Sequence, residues 1–291
     1  MKQRDRQQRD AAASKVDVLN EALPWIHRSA GKTFVIKYGG SAMENPELCR
    51  QVVADIEMLK LLGIRIVLVH GGGKAISAHV KALGLPVSFK GGLRVTDDAT
   101  MEAVREVLVG KVNQDLVWAL NEYGHNAVGI SGADGKMLKA EQIDPELGRV
   151  GRIREVDPSL IETILEDGYI PVVATVGCAP DGFYNINADV AAGKIAEAMG
   201  ADKLIYLTDV DGLYGNVDDE DSLIQTLTQT ETRMLLESGE LDGGMLPKIR
   251  SIAEALDGGV SEVVILNGTY PHSLLLEIFT DAGCGTMFTR D

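Results

Sequence analysis

The stretch "IRIVLVHGGGKAISAHV", residues 64–80, decides the fold class because it contains a strand, a turn and the start of a helix. An uninterrupted aliphatic run ends at three glycines, Gly71 to Gly73, and a helix-like pattern follows them. Aliphatic runs of this kind are typical of parallel strands that are buried on both faces. Ligands of such sheets bind at the carboxyl ends of the strands, where this glycine turn lies. The stretch therefore predicts an α/β unit whose turn faces a ligand.

Aliphatic segments that end in a similar way recur along the chain. They read "TFVIKYGG", "YIPVVATVG", "KLIYLTDVDG" and "EVVILNG". Amphipathic helices are predicted between them, at 46–62, 98–123, 159–167, 188–199 and 248–256. Strands that alternate with helices form a mainly parallel sheet with helices on both faces. We therefore expect an α/β protein, a three-layer sandwich around a mainly parallel central sheet.

Residues 127–157 differ from this pattern. They contain short β-like pieces punctuated by Gly and Pro, without a long helix. We interpret them as a β-hairpin insertion on one lobe. A second cluster of strand–glycine turns begins near Gly200, so we expect the boundary between two lobes there.

Composition limits the classes of function. A chain of 291 residues that is 45% hydrophobic can bury a large core. Its 43 acidic and 28 basic residues give a net charge of −15, which repels nucleic acid and anionic lipid, so we expect neither as a partner. No apolar stretch approaches the roughly 20 residues of a membrane span, and the first ten residues lack a signal-peptide core. We expect a cytoplasmic protein. Its three separated cysteines match no zinc or redox spacing and predict free thiols.

The N-terminal region has two parts. Residues 1–14 alternate charges and predict a frayed arm. The segment "VDVLNEALPWIHRSA" then places Val16, Leu19, Leu23 and Ile26 on one helical stripe. This stripe needs a surface to cover, and two remain open: the chain's own domain or another subunit.

The glycine turn at residues 71–73 matches neither common nucleotide motif. A Walker A loop needs Ser or Thr after the lysine, whereas Ala75 follows Lys74. A GxGxxG motif needs a glycine three residues after Gly73, where Ile76 stands. The turn alone indicates an anion or a close backbone approach.

Two other turns carry a cation. Lys37 lies two residues before Gly39 and Gly40, whose amides could approach an anion, although a tight turn with a solvated lysine fits equally well. Arg94 follows a glycine pair in "KGGLRVTDD", with Thr96 as the candidate cap of the next helix. Arginine suits a bidentate grip on a carboxylate, but a surface residue is the alternative.

Three further motifs allow two readings each. In "FYNINADVAAG", the side chains of Asn185, Asn187 and Asp189 share one face if extended, or they form only an N-cap cluster. The segment "LTDVDGLYG" is either a simple turn or the rim of a nucleotide site. In "LDGGMLPKIR", Lys248 is predicted to open a helix after Pro247. A lysine there opposes the helix dipole, so it calls for an anionic neighbour.

Together, in this order, the six motifs resemble the amino acid kinase family. The chain is most similar to the branch of that family that acts on N-acetyl-L-glutamate, over residues 16–288. The resemblance implies transfer of the γ-phosphoryl group of ATP to the γ-carboxylate of N-acetyl-L-glutamate, a step of arginine biosynthesis. A carboxylate with a pKa of about 4.3 is already ionised at neutral pH, so this reaction needs no general base.

The resemblance also implies roles for individual residues. The catalytic residues would be Lys37, Lys248 and Asp189, with the aspartate holding both lysines. The substrate would bind to Gly72, Gly73, Arg94 and Asn185. The nucleotide would bind to Gly39, Gly40, Asp209, Val210, Asp211, Gly212, Leu213 and Tyr214. Magnesium would be carried by the ATP phosphates, with no metal held by protein ligands. Lys74 would begin a helix and face solvent.

Arginine-inhibited hexameric members of the family share further features with this chain. They have an N-terminal helix that interlaces dimers, and an arginine site that corresponds here to Lys203, Glu277 and Gly283. The resemblance therefore implies L-arginine as an inhibitor and a homohexamer. It divides the chain into an oligomerisation arm (1–30), a lobe for the amino acid substrate (31–200), and a lobe for ATP and arginine (201–291). Some members also bind a PII-type protein, and these residues leave that partner open.

Two alternatives remain. One is another member of the family: a carbamate, glutamate or uridylate kinase. Carbamate and uridylate kinases should not need "GLRVTD" and "NINAD" together. The other alternative is a non-catalytic arginine sensor on the same scaffold. Intact Lys37, Asp189 and Lys248 argue against a sensor, since a pure binder has no use for paired lysines around a phosphate.

Overall fold

The computed structural model describes residues 16, 20–43, 45–124, 127–216, 219–239, 241, 245–280 and 283–291. The predicted frayed arm at 1–14 lies outside the described residues. Residues 20–29 form helix α1. The remaining helices are α2 (Pro46–Leu61), α3 (Gly73–Ala82), α4 (Asp98–Arg105), α5 (Asn113–Gly124), α6 (Ser159–Glu166), α7 (Ala188–Ala198), α8 (Gln229–Ser238), α9 (Met245–Asp257) and α10 (Ser273–Phe279).

Among the described residues, eight strands form the central sheet. They are β1 (Thr33–Tyr38), β2 (Arg65–His70), β5 (Ala127–Ser131), β8 (Ile170–Ala174), β11 (Lys203–Thr208), β12 (Thr226–Thr228), β13 (Glu262–Asn267) and β14 (Thr286–Thr289). Their spatial order is β12-β14-β13-β11-β1-β2-β8-β5, and every pair is parallel except β13 with β14.

The core lies on both faces of this sheet. Along β1, Phe34 and Ile36 point into one apolar cluster and Val35 points into the other. Strand side chains alternate between faces, so an unbroken aliphatic run serves both layers. Helices α2, α3, α4, α5 and α10 contribute to the first cluster, and α6, α7 and α9 to the second. The predicted fold class, a three-layer sandwich around a mainly parallel sheet, is confirmed.

The predicted β-hairpin insertion at 127–157 is confirmed only in part. Residues 138–156 contain two antiparallel strands, but the segment as a whole is not one insertion. Strand β5 joins the edge of the central sheet. Strands β6 (Leu138–Gln142) and β7 (Val150–Val156) close a small barrel with β9 (Val176–Ala179) and β10 (Gly182–Ile186). The segment "YIPVVATVG" is accordingly two strands, β8 and β9, in different sheets. Short strands carry too little periodicity to reveal their partners.

At the N-termini of three helices the structure corrects two predictions, the cap of α4 and the start of α9, and decides between the two readings offered for the start of α7. The cap of α4 is Asp97, which accepts from the amide of Thr100, while the hydroxyl of Thr96 donates to the carbonyl of Arg94. Helix α9 begins at Met245, so Lys248 is its fourth residue rather than its first. Asn187 caps α7, which places Asp189 in the first helical turn and off the strand that carries Asn185. A cap is decided by which side chain reaches an amide, and spacing alone does not show this.

The predicted helix at 98–123 is continuous but changes its winding. A π-helical segment (Glu106–Val112) separates α4 from α5. Such segments are frequent at functional sites. Between β2 and α4 the chain forms a short hairpin of β3 (Phe89–Lys90) and β4 (Leu93–Arg94). The π segment and this hairpin both contribute to the cavity described below.

Helix α1 leaves much of its apolar stripe uncovered. Leu23 is 47% exposed and Val16 is 54% exposed, while Ile26 is half-buried. Leu19 lies outside the described residues. Within the described part of the chain, no helix combines the length and apolar character that a membrane crossing requires.

Candidate active site

A cavity of about 250 Å³ opens at the carboxyl ends of β1 and β2, beside the first turns of α3 and α7. Parallel strands and the helices that follow them bring glycine turns and helix N-termini together at this edge. The lining includes the predicted residues Lys37, Gly39, Gly40, Gly72, Gly73, Arg94, Asn185 and Asp189. Motifs that are up to 152 positions apart in the chain, from 37 to 189, thus meet at one cavity.

One carboxylate holds two ammonium groups at the edge of this cavity. Lys37 Nζ lies 3.0 Å from Asp189 Oδ1, and Lys248 Nζ lies 2.8 Å from Asp189 Oδ2. The three side chains are only 11–19% exposed. Lys37 comes from the end of β1, Asp189 from the first turn of α7, and Lys248 from α9. The anionic neighbour that the position of Lys248 called for is therefore Asp189.

The charges of this cluster are strongly coupled. Burial alone would raise the pKa of Asp189, but the positive charges of Lys37 and Lys248 outweigh it and lower that pKa to about 2. Burial lowers the pKa of Lys248, and Asp189 opposes this effect. The cluster consists of one anion and two cations, so it carries an excess positive charge suited to an anionic ligand.

Arg94 supplies another cation to the cavity. Its Nη2 donates to the carbonyl of Gly73 at 2.8 Å and to Ser77 Oγ at 2.7 Å, and its guanidinium lies 4.7 Å from the ring centre of Phe89. Its Nη1 is buried and has no hydrogen-bond partner in the part of the chain that the structure describes. A buried guanidinium with an unsatisfied donor is suited to a carboxylate. The surface alternative for Arg94 is excluded, since the residue is buried.

The glycine turns require glycine for space. A side chain at Gly72 would place its Cβ 2.7 Å from Leu108, which belongs to the π-helical segment. A Cβ at Gly40, where φ is +80°, would collide with the carboxylate of Asp209. Both turns line the cavity, and glycine lets the backbone approach an anion closely.

His70 contacts the backbone of the glycine turn at residues 71–73. It is fully buried; its Nδ1 lies 2.9 Å from the carbonyl of Gly71, and Asn113 Nδ2 lies 3.0 Å from its Nε2. Burial lowers the pKa of His70 to about 4, so the imidazole is neutral at physiological pH. Asn113 also donates to the carbonyl of Val172 at 2.8 Å. This network ties the glycine turn to β8 and α5.

The predicted nucleotide segment, residues 209–214, lies in the turn that follows β11. Asp209 approaches Gly40, which brings this turn next to the first glycine pair. Asp211 accepts from Tyr214 at 2.8 Å and from Asn267 at 2.9 Å. The amide of Leu213 donates to Thr286 on β14, so this part of the segment holds the turn in place. Val210 is exposed.

The three residues of the predicted arginine site are only partly brought together. Glu277 and Gly283 line a second cavity, of about 110 Å³, in which the amide of Cys284 donates to Glu277 at 3.2 Å. Lys203 pairs with Glu262 at 2.9 Å and does not line this cavity. Burial raises the pKa of Glu277, which the more distant charge of Lys203 only partly offsets.

Sequence reasoning missed several residues of the site. Ile76, Phe89, Leu108 and Val150 form its apolar walls, and Ser77 orients Arg94. Ser77 lies four residues after Gly73 in a helix, a spacing that could have indicated its direction. Lys74 is the second residue of α3 and is exposed, as predicted. Within the described ranges, no group of three His, Cys, Asp or Glu side chains could hold a metal ion.

The chain is similar to a known protein family and to several of its members. A model of the amino acid kinase family matches residues 32–267. An acetylglutamate kinase of Brachyspira hyodysenteriae is 49% identical over 280 residues, which is 95% of this chain and 97% of that protein. An acetylglutamate kinase of Caldanaerobacter subterraneus is 50% identical over 280 residues, 95% of this chain and 94% of that protein.

Solved structures of N-acetylglutamate synthase from Neisseria gonorrhoeae are also similar. The complex with coenzyme A and N-acetyl-glutamate gives a TM-score of 0.83 at 31% identity, covering 95% of this chain and 63% of that one. The complex with coenzyme A and L-arginine gives a TM-score of 0.79 at 29% identity, covering 95% and 65%. This chain thus spans less than two thirds of the synthase.

Proposed function

The chain is a kinase that belongs to the amino acid kinase family, and on that premise we propose that it phosphorylates the γ-carboxylate of N-acetyl-L-glutamate in arginine biosynthesis. One observation carries the choice of substrate. The same cavity is lined by Arg94, which has an unsatisfied buried donor, and by Lys37 and Asp189. Asp189 in turn holds Lys248 beside the cavity. An acceptor with two carboxylates matches two separate groups of cations, whereas carbamate offers one carboxylate and UMP offers none.

The acyl group of the substrate fits the remaining walls. Ile76, Leu108 and Val150 are apolar and line the cavity together with Asn185. Asn185 donates to Thr96 Oγ1 at 3.2 Å, which fixes its amide between the barrel and β4. In this proposal Arg94 grips the α-carboxylate, and Asn185 with the amides of Gly72 and Gly73 orients the chain of the substrate. The γ-carboxylate then points toward the lysine cluster.

The proposed chemistry needs charge and position rather than proton transfer. An oxygen of the γ-carboxylate attacks the γ-phosphorus of ATP, the bond to the β–γ bridging oxygen breaks, and the products are an acyl phosphate and ADP. Substrate, nucleotide and transition state are all anionic, so stabilisation must come from positive charge. Lys37 and Lys248 supply this charge, and Asp189 keeps both ammonium groups at fixed positions. The amides of Gly39, Gly40, Gly72 and Gly73 add donors without charge.

The nucleotide is proposed to lie over the turn at residues 209–214, next to Gly40. The carboxylate of Asp189 is already engaged by two lysines, and the acidic side chains within the described residues offer no complete cage for a cation. This donor set fits a magnesium ion that is carried by the phosphates of ATP. When bound, the ion would neutralise part of the charge that develops on those phosphates.

Regulation by arginine is the finer part of the proposal. Glu277 lies half-buried in a small cavity whose described lining contains no cationic side chain, and a guanidinium would supply one. The similar synthase was solved with L-arginine, which supports an arginine site on this scaffold. The exposed stripe of α1 supports packing on another subunit, as a hexamer would require. We further propose a cytoplasmic enzyme with the lobe division near residue 200.

One assay tests the proposal. ADP formation is followed with ATP and magnesium against N-acetyl-L-glutamate, glutamate, aspartate, carbamate and UMP, with and without L-arginine. We expect activity with N-acetyl-L-glutamate alone, and inhibition by arginine. Equal activity with unacetylated glutamate would refute the substrate. Insensitivity to arginine would refute only the regulatory part, and arginine binding without turnover would indicate a sensor instead.

A further inference from the structure

Helices α7 and α9 cross directly behind the lysine cluster. At the crossing, a Cβ on Gly193 would lie 3.0 Å from Ser251 Oγ, so the helices pack closely there and an added methyl group would push against Ser251. Gly193 is one helical turn after Asp189, and Ser251 is three residues after Lys248. The contact between the helices therefore sets the distance between Asp189 and Lys248.

Tyr206 lies beneath this crossing. It is fully buried on β11, directly beside Lys37 in the parallel register with β1, so both side chains leave the same face of the sheet. Its ring centre is 5.2 Å from Lys248 Nζ. Its hydroxyl lies 3.2 Å from the carbonyl oxygen of Asp189 and 3.0 Å from Ser251 Oγ. Burial raises the pKa of Tyr206, so the hydroxyl keeps its proton.

Ser251 completes a closed set of contacts. Its Oγ donates to the carbonyl oxygen of Asp189 at 3.1 Å, so two hydroxyls converge on one backbone oxygen. That oxygen belongs to the residue whose side chain holds both lysines. One contact set thus links the sheet, α7 and α9 at the point where their three charged side chains meet.

We propose that Tyr206 and Ser251 are positioning residues for phosphoryl transfer, which act by fixing the backbone of Asp189 against α9. The inference rests on the proposed function. If either hydroxyl is removed, the carbonyl of Asp189 loses one of its two contacts, and α7 can shift relative to α9. The ammonium group of Lys248 then moves relative to the transferred phosphoryl group. A displacement of about 1 Å in an active site can lower turnover as much as 100-fold. Neither residue reaches the cavity, so substrate binding is unaffected.

The test compares Tyr206→Phe, Ser251→Ala and the double variant. Each single variant should lower kcat about 10-fold, while KM for N-acetyl-L-glutamate and for ATP stays within about twofold, since only positioning is lost. The two hydroxyls act on one carbonyl, so the double variant should lose no more than about the larger single effect. Thr232→Val is the matched control, because it removes a buried hydroxyl on α8 that donates to the carbonyl of Thr228, the N-cap of that helix, away from the cavity.

Enlarging residue 193 and shrinking residue 251 gives a second, independent test. Gly193→Ala should lower kcat because its methyl group displaces Ser251, and Ser251→Ala should relieve part of that loss by removing the oxygen that collides. If Tyr206→Phe does not fold, Ser251→Ala and this exchange decide the question. Folding of each variant is checked by circular dichroism and by its Tm.

The outcomes separate the two proposals. Wild-type protein without acetylglutamate-dependent ADP formation would refute the proposed function. An active wild type whose folded variants keep full kcat, or lose no more than Thr232→Val, would overturn only the positioning role. Losses that appear in KM alone, or that are purely additive, would overturn it as well.

Discussion

Asp189 and Glu277 are both acidic residues near lysines, yet their environments act in opposite directions. Asp189 contacts two ammonium groups directly, and its pKa falls to about 2 although burial opposes this. Glu277 accepts one backbone amide, while the nearby Lys203 is paired with Glu262, and burial raises its pKa. At Asp189, direct contact with two cations outweighs the effect of burial on the pKa. At Glu277, which accepts only a backbone amide, burial dominates.

The two sites differ in whether cationic side chains of the protein contact the acid. The negative charge of Asp189 is balanced within the chain, so it can fix two lysines for an external anion. Among the described residues Glu277 has no cation in direct contact, so a bound cation would stabilise its charged form. The proposed roles in catalysis and in arginine binding follow from this contrast, and substitutions at the two sites should separate them.

The largest expected effect is on stability. Asp189→Asn removes the anion between two buried lysines and should lower the free energy of unfolding by about 3–5 kcal/mol. Glu277→Gln should raise the Tm slightly at pH 8, since an acid with a raised pKa is ionised at a cost in the folded state. Urea unfolding and calorimetry measure both. A loss of stability in both variants would contradict the comparison.

The same contrast predicts a pH dependence. The pKa of Asp189 in the folded state lies below its unfolded value, so its contribution is complete above about pH 4 and is lost as the pH falls toward 2. The Asp189→Asn variant should therefore lack this part of the acid unfolding of the wild type. The measurement is the unfolding midpoint of both proteins between pH 5 and pH 2. If the two proteins showed the same pH profile, Asp189 would not be the responsible group.

Catalysis should show the next largest effect. Lys248→Ala should lower kcat by about 10²–10³, because one of the two fixed cations at the phosphoryl group is lost. The control is Lys74→Ala, which removes an exposed lysine next to the glycine turn and should change kcat little. Steady-state ADP formation measures both, and equal losses in the two variants would identify Lys74 as the phosphate lysine after all.

A smaller effect is expected on regulation. Glu277→Gln should raise the arginine concentration for half-inhibition about 10-fold, the equivalent of roughly 1.4 kcal/mol for one charged contact. Each rate is normalised to that of the same variant without arginine. Glu237→Gln, an exposed glutamate on α8, is the charge-matched control. The same shift in both variants would indicate a general charge effect rather than a contact.

The smallest effect should be the pH dependence of inhibition. Glu277 has a raised pKa, so it loses its charge earlier than an ordinary glutamate as the pH falls, and arginine should inhibit less well at pH 5 than at pH 8. Asp189 stays ionised throughout this range. The shift should vanish in Glu277→Gln, and its persistence there would assign it to another group.

Much of the fold and of the cavity was predictable because local chemistry repeats. The aliphatic runs of β1, β2, β11 and β13 could be read without their partners, since a strand buried on both faces has one simple pattern. Strand β5 and the barrel could not, because short strands depend on which neighbours complete them. Tyr206 illustrates the same limit within the site: in an apolar strand a tyrosine reads as core.

By itself the sequence determined the fold class, the cations and acids that the site would need, and the motifs that carry them. The resemblance of these motifs also implied that Asp189 holds Lys37 and Lys248. Only the tertiary structure gave the geometry of those ion pairs. It also decided that Arg94 is buried with an unsatisfied donor and that Lys203 pairs with Glu262. The physical reason is distance. Strand and helix patterns act over a few residues, whereas ion pairs form between groups that only the packing of whole elements brings within about 4 Å.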